Sequence, residues 1–372
     1  MTTSPETGKK VFVLRASGLK QAELRDIIAG QYQGAYAAFA RAVFRPVSVL
    51  YRFAVQSRNC LYDTGSLRTH KISVPVISVG NITAGGTGKT PLVIWLAKYI
   101  SPKKKCAIIT RGYKAARDSV DEPSLLARSV SDTPVVVNPD RVAGARLAVN
   151  NGAEVLILDD AFQHRRLARD IDIVTVDATC PFGYGKVLPA GLLREPLGCL
   201  ARADAVIITR ADQVDKQRID EIETTIKAFN SSLAVATAVH KPLTLTDGRG
   251  VELEPAYIKG KKVFAFCGIG NPDAFVTTLK SLGAAITGSS FYDDHYHYSK
   301  ADIEQLAANA EATEAELAIT TEKDFSKIEV QWLKNAPVDF AYLAVEIELG
   351  SGASQITQLI DKTIAGRIST NS

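Results

Sequence analysis

The 372-residue sequence predicts an α/β protein: a parallel sheet covered by helices, followed by a second, smaller α/β domain. Three observations predict it. Short continuous Val/Ile/Leu runs alternate with helix-length segments, as expected of strands buried on both faces and joined by crossover helices. One of those runs leads through a glycine-rich loop directly into a helix. The alternation then stops at a turn-rich stretch and begins again beyond it.

Residues 1–62 form an N-terminal extension ending in a basic amphipathic segment. Lys9 and Lys10 precede only four apolar residues before Arg15, too short for a secretory signal. Nowhere do 18 apolar residues follow one another, so no spanning helix is expected. Between Asp26 and Asp63 no acidic residue occurs, whereas Arg41, Arg45, Arg52 and Arg58 do. Tyr32, Tyr36, Phe39, Ala40 and Val43 share one face at helical spacing. After Pro46, expected to kink or restart the helix, Val47, Leu50, Tyr51 and Ala54 repeat the pattern. An apolar face flanked by cations suits a helix lying on an anionic membrane surface; packing of that face on the chain's own core is the competing reading.

Residues 63–240 carry the core, with strands expected at 75–79, 107–110, 134–137, 155–158, 171–176, 205–209 and 235–239. Helices are expected at 91–100, where Leu92, Leu96 and Ile100 recur every four residues, and at 215–229. Residues 241–262, rich in Pro and Gly, form the expected linker. The smaller domain, 263–372, repeats the alternation with strands at 263–267, 317–320 and 340–347 and helices at 272–282 and 301–312.

The balance of 44 basic against 40 acidic residues says little about partners, and no dense Lys/Arg stripe with interleaved aromatics supports nucleic-acid binding. Cys60, Cys106, Cys180, Cys199 and Cys267 are scattered, neither a zinc framework nor a disulfide scaffold, which fits a reducing, cytosolic compartment. Cys106 and Cys267 sit in apolar runs and are expected to be buried thiols.

The loop after the first core strand runs from Gly80 to Pro91 as GNITAGGTGKTP. Its glycines let successive amides turn toward one point, and the helix N-terminus adds positive potential. These features make the chain a phosphate-loop NTPase type, with Thr83, Ala84, Gly85, Gly86, Thr87, Gly88, Lys89 and Thr90 as the nucleotide-binding set. Lys89 is placed to reach the β- and γ-phosphates, and Thr90 to offer a hydroxyl to Mg²⁺. Thr83 stands where the strict motif has glycine. Ala84 stands where membrane-cycling ATPases carry a signature lysine, which disfavours that class. The apolar strand ending in Asp159-Asp160 supplies the carboxylates expected beside Mg²⁺ at the carboxyl edge of such a sheet.

Several segments together resemble the tetraacyldisaccharide 4′-kinases. VGNITAGGTGKTP from Val79, Thr110-Arg111-Gly112-Tyr113, Asp121-Glu122-Pro123 and LDDAFQHRRLARDID from Leu158 are similar to that family's elements. So are Leu188-Pro189-Ala190-Gly191 with Leu193-Arg194-Glu195-Pro196, FCGIGNP from Phe266, Asp294-His295, and Thr320-Thr321-Glu322-Lys323-Asp324. The matches span roughly residues 43–350 in one order; Ala161, Tyr184 and Leu192 depart from the pattern. The resemblance implies a kinase that transfers the γ-phosphate of ATP to the 4′-hydroxyl of a tetraacyldisaccharide 1-phosphate lipid, giving the 1,4′-bisphosphate in lipid A biosynthesis. It implies ATP and Mg²⁺ as cofactors, an anionic inner-membrane surface as the place of work, a peripheral position on its cytoplasmic face, and no protein partner. It also implies that Asp121 and His295 form the base unit that accepts the hydroxyl proton. Glu122 is either a metal ligand beside Thr90, Asp159 and Asp160 or a residue that supports those ligands from behind.

From the residues alone, Asp121 is equally a turn carboxylate, and His295 a surface histidine or half of a metal site with His297. Gln163 and His164 either line the acceptor site or pack. Arg111, Arg194 and Lys323 either bind phosphates or form surface ion pairs. Two other functions stay open. Thr209-Arg210-Ala211-Asp212 loosely imitates the N/T-K-x-D guanine reader of nucleotide switches, and a kinase of a soluble small molecule would carry the same phosphate loop.

Overall fold

The computed structural model describes residues 12–15, 20–112, 121–130 and 132–366. In chain order the elements begin with β1 (Phe12–Arg15), α1 (Lys20–Ala29), α2 (Ala35–Asp63), β2 (Val76–Asn81), α3 (Lys89–Ile100), β3 (Cys106–Thr110), α4 (Asp121–Ser129), β4 (Val135–Val137), α5 (Arg141–Asn150), β5 (Val155–Leu158), β6 (Ile171–Asp177), β7 (Ala205–Thr209) and α6 (Lys216–Lys227). They continue with β8 (Ala234–Asp247), β9 (Glu252–Leu253), β10 (Lys262–Cys267), α7 (Pro272–Ser281), β11 (Ala285–Phe291), α8 (Lys300–Ala312), β12 (Leu317–Thr321), α9 (Glu322–Phe325), β13 (Asp339–Leu349) and α10 (Ala353–Gly366). The chain divides into two compact units, Asp26–His240 with Ile347–Ser372, and Met1–Arg25 with Lys241–Glu346.

In the larger unit the strands run in the order β8-β7-β6-β2-β5-β3-β4, every neighbouring pair parallel. The strand that leads into the phosphate loop, β2, lies between β5 and β6, and all six of its residues are buried. Alternation along the strands sorts the side chains onto two faces. Ile77, Val79, Ile108, Ile157 and Ile173 pack with Leu92, Leu96 and Ile100 of α3 and with Ile356, Ile360 and Ile364 of α10. On the opposite face Val76, Ile109, Leu156 and Leu158 meet α5, while Val174, Val176, Val206 and Ile208 meet α6. Burial on both faces explains why these strands read as unbroken apolar runs.

The smaller unit holds a parallel sheet in the order β1-β11-β10-β12-β13 and a short antiparallel pair between the end of β8 and β9. Phe264, Phe266 and Phe340 pack with Leu306 and Ala310 of α8 on one face, and Val263, Ala265 and Cys267 with Phe275 and Leu279 of α7 on the other.

Two expectations about organisation differ from the structure. The supposed linker 241–262 opens with the second half of a fourteen-residue strand, and β9 and a 3-10 turn at Pro255–Ile258 fill much of the rest. Pro242 is tolerated within β8 although it brings no amide to a ladder. The last segment, α10, belongs to the larger unit, because its Ile356, Ile360 and Ile364 stripe completes the cover over α3. In the N-terminal segment, α2 continues past Pro46 as one helix, so the restart expected there does not occur. Cys106 and Cys267 are buried free thiols.

Candidate active site

Helix starts in this fold are normally capped. Asp140, Asp215, Asn271, Ser299 and Thr321 each accept a backbone amide at the start of α5, α6, α7, α8 and α9. The start of α3 is different. Its cap is Gly88, left-handed with φ 83° and no side chain to donate to, so the first amides are left for something else. A side chain at Gly88 would also meet the His240 ring at 2.9 Å.

The loop before Gly88 is held from behind through its carbonyl oxygens. The Asn81 amide donates to the carbonyls of Thr83 (2.7 Å) and Gly85 (3.4 Å) and to Thr87 Oγ1 (3.0 Å). Arg210 Nη1 donates to the Gly86 carbonyl at 3.0 Å, and Thr209 Oγ1 to the Thr87 carbonyl at 3.0 Å. In a trans peptide C=O and N–H point in opposite directions. Pinning the carbonyls of Gly85, Gly86 and Thr87 therefore turns the amides of Gly86, Thr87 and Gly88 to the other side, where they have no protein partner among the described residues. The result is a concave row of donors, a nest for anionic oxygens. Thr83 and Ala84 take another part: the Ala84 amide donates to the Leu192 carbonyl at 2.7 Å, and Thr83 pairs with Leu193. This first half of the loop is thus stitched to the Leu192–Arg194 segment instead of contributing free amides.

Lys89, the first residue of α3, places Nζ 3.5 Å from Asp160 Oδ1. The Arg194 guanidinium donates to both oxygens of the same carboxylate, at 2.9 and 3.1 Å. Burial alone would raise the Asp160 carboxyl, but the charges of Lys89, Arg194 and Arg141 outweigh it and hold the group below the usual carboxylate range. Asp160 is a left-handed residue, φ 46°, at the turn that ends β5. That turn is fixed by Arg141, whose guanidinium donates to the carbonyls of Asp159 (2.8 Å) and Asp160 (3.0 Å). Asp159 is 4% exposed and accepts from Thr110 Oγ1 at 3.4 Å.

The other predicted residues fall as follows. Asp121 and Glu122 open α4, but their side chains lie outside the described residues, as does Tyr113. Gln163 donates from Nε2 to the Asn81 carbonyl at 2.9 Å, and so braces β2. His164 is half-buried with Nε2 unpartnered, and desolvation, followed by the charge of Arg141, lowers its pKa to about 4. Arg111 is exposed. Arg194 is an ion-pair partner inside the site.

In the smaller unit, His295 lies in the loop after β11, at the carboxyl edge of the sheet, with φ 66°. Its Nε2 is 3.4 Å from Lys323 Nζ and 3.9 Å from Asp294 Oδ1, and Lys323 and Asp294 pair at 3.3 Å. Burial would raise the Asp294 carboxyl, but Lys323 and His295 hold it below its ordinary value.

Three residues of the site went unnoticed or unassigned in the sequence. Arg141 carries no motif signal at all, because a lone arginine opening a helix is ordinary. The roles of Asn81 and Arg210 depend on carbonyls that only the folded loop presents. For Mg²⁺, the donor chemistry fits: Thr90 Oγ1, Asp159 and Asp160 are all hard oxygen donors beside the loop, although among the described residues no group of three His, Cys, Asp or Glu forms a ready cluster.

Comparison with known proteins gives a consistent answer. The family model for tetraacyldisaccharide-1-P 4′-kinase matches residues 40–365. Tetraacyldisaccharide 4′-kinase of Halothermothrix orenii is 34% identical over 346 residues, covering 84% of this chain and 90% of its own. That of Syntrophus aciditrophicus is 38% identical over 332 residues, covering 81% and 87%. Among solved structures, the LpxK of Aquifex aeolicus in complex with ATP is 31% identical with a TM-score of 0.67, covering 87% of this chain and 99% of that one.

Proposed function

The chain belongs to the tetraacyldisaccharide 4′-kinase family, and from that premise we propose how its residues divide the reaction. It is an ATP-dependent kinase of lipid A biosynthesis that phosphorylates the 4′-hydroxyl of a tetraacyldisaccharide 1-phosphate. The observation that carries the division of labour is the row of turned amides at Gly86, Thr87 and Gly88 with Lys89 beside it, facing Asp160 at 3.5 Å.

Phosphoryl transfer asks the protein mainly for positioning and charge neutralisation. The loop amides bind the phosphate oxygens, and Lys89 exchanges its contact with Asp160 for the charge that grows on the transferred group. Thr90, Asp159, Asp160 and Glu122 are the residues that would hold Mg²⁺, which when bound neutralises charge on the phosphates. Asp160, already ionised, keeps this oxygen donor available at any pH near neutrality. Asp121 and His295 act as the base unit: the imidazole takes the proton of the sugar hydroxyl as its oxygen bonds the γ-phosphorus and the bond to the β,γ-bridging oxygen breaks, with ADP leaving, and the carboxylate stabilises the imidazolium. Resemblance to the family supports this pairing.

We further place the protein peripherally on the cytoplasmic face of the inner membrane, with α2 as the docking element. Among the described residues no helix is long and apolar enough to cross a membrane. Yet the outward face of α2 is apolar, with Tyr36 and Phe39 each 69% exposed, Leu50 71% and Phe53 72%. The inward face is anchored: Ser48 Oγ donates to the Val187 carbonyl at 2.8 Å, Tyr51 OH to the Arg194 carbonyl at 3.0 Å, and Asn59 Nδ2 to Glu195 at 2.7 Å. Tyr51, expected on the membrane stripe, therefore belongs to the packed side, three residues on from Ser48. Val49 and Phe53 join the stripe instead. An exposed apolar face beside Arg45 and Arg52, on a chain whose acceptor is itself a lipid, fits an anionic bilayer surface.

The test is incubation with γ-labelled ATP and the lipid disaccharide 1-phosphate in detergent, with separation of the products. Label in the lipid is expected. Label only in a water-soluble sugar supplied without detergent would move the protein to the soluble-kinase reading.

A further inference from the structure

We propose that Arg210, oriented by Asp177, is a positioning residue of the phosphate loop, so that the Thr209-Arg210-Ala211-Asp212 element serves the back of that loop and not a nucleotide base. The inference rests on the kinase reading and deepens it. In nucleotide switches the basic residue of such an element follows the same strand but packs against the base. Here the chain at Arg210 turns into the left-handed region, φ 55°, which a residue with a side chain seldom adopts, and directs the guanidinium inward. Arg210 is 8% exposed. Its Nη1 reaches the Gly86 carbonyl at 3.0 Å and pairs closely with Asp177 Oδ2 at the end of β6. Asp177 is in turn held by its Oδ1, which accepts from the Thr179 amide at 3.0 Å and from Thr179 Oγ1 at 2.7 Å.

The neighbouring residue works on the next peptide. Thr209 Oγ1 donates to the Thr87 carbonyl, and Thr87 Oγ1 bonds Thr175 of β6 at 2.7 Å. With the Asn81 amide on the Gly85 carbonyl, three side chains from the ends of two strands, β2 and β7, hold three consecutive carbonyls. Only the middle one is charged, and only an arginine has enough donors in a fixed plane to span a carboxylate and a carbonyl together. Losing it frees the Gly86–Thr87 peptide to rotate, and the Thr87 amide then no longer faces the phosphates in advance.

A buried Arg–Asp pair could serve stability alone, and the protein contains a control for that. Arg169 and Asp172 pair at 2.7 Å, similarly buried, near the opposite end of the same strand β6 and without contact to the loop. The experiment compares Arg210→Met, Arg210→Lys and Arg169→Met in melting temperature, ATP affinity without acceptor, and steady-state kinetics with lipid acceptor. We expect Arg210→Met to weaken ATP binding and to lower kcat/KM for ATP by about a hundredfold, the scale of a small misplacement at a reacting centre. Arg210→Lys should recover part of that loss, since an ammonium can still donate to the Gly86 carbonyl. Arg169→Met should lower the melting temperature while leaving kcat/KM within about threefold of wild type at a temperature where it is folded. If Arg210→Met does not fold, the isosteric Asp177→Asn carries the test, with a smaller loss in the same direction expected. Equal kinetic effects of Arg210→Met and Arg169→Met, or an Asp177→Asn enzyme with wild-type ATP affinity and kcat/KM, would overturn the inference while wild-type turnover left the kinase reading standing. A wild type that fails to phosphorylate the lipid at all would instead remove the premise.

Discussion

Lys89 and Asp160 face each other at 3.5 Å, and the same pair of charges is what phosphate and metal chemistry would separate. The phosphate loop was legible in the sequence because its chemistry demands glycines and a lysine at fixed spacing. The division inside it was not. Ala84 spends its amide on Leu192, and the donors that orient the remaining amides come from Asn81, Thr209 and Arg210. Asp121 and His295 are proposed through family resemblance alone, since a lone acid and a loop histidine carry no spacing signal. If they work as one base unit, Asp121→Ala and His295→Ala should each lower kcat by about a hundredfold or more, and the double variant should be little worse than either. Multiplicative losses would show two independent roles. Two further histidines make a stability prediction. Desolvation, with the charge of Arg210 next, lowers the pKa of His240 to about 3; desolvation with Arg141 lowers that of His164 to about 4. Both are neutral in the folded protein, while the unfolded chain takes up their protons near pH 6.5. Their stabilising contribution is therefore complete above about pH 6.5 and is lost as pH falls toward 4 and then 3. Thermal melts across pH 7.5 to 4.5 should show a falling melting temperature, with a shallower fall in His240→Gln. An identical slope in that variant would contradict the assignment.

Among the elements, the strands buried on both faces were the most legible, because a run such as Val155–Leu158 has little else it can be. β11 escaped notice for a reason the structure supplies. Its Ala285–Phe291 run contains Gly288, and a side chain there would meet the Phe264 ring at 2.8 Å. That glycine answers to a neighbour 24 residues away and dilutes the local β signal. α2 was legible as amphipathic, but which side faced outward was not, since both sides carry apolar residues. With Tyr51 on the packed side, the stripe to test is Phe39, Val43, Leu50 and Phe53. All four are exposed, so changing them to serine or glutamine should leave the melting temperature nearly unchanged. Each apolar side chain removed from a bilayer interface forfeits about 1.5 kcal/mol or more if fully buried there, so vesicle binding should drop by tenfold or more. Sedimentation with anionic vesicles at low salt measures this directly. Undiminished binding by a folded variant would move the docking surface elsewhere.

At the scale of the molecule, the two-unit organisation was legible, and its boundaries were not. Composition picks out turns, whereas the chain changes unit within β8, at His240, and returns within β13, at Ile347. Strands carry no punctuation at such a point. The consequence is that neither unit is a contiguous segment, and truncation at residue 262 would strip the larger unit of α10 and its three buried isoleucines. The phosphate loop of the larger unit delivers a phosphoryl group to a lipid sugar. The most direct measurement is turnover of γ-labelled ATP by the wild type and by Lys89→Ala, each with the lipid disaccharide 1-phosphate and each checked for an intact fold. Wild type should place label on the lipid as a phosphate monoester, and Lys89→Ala should lose about a hundredfold to a thousandfold in kcat, the scale of removing a donor to developing charge. Label released only as inorganic phosphate, or equal turnover by the two proteins, would contradict it.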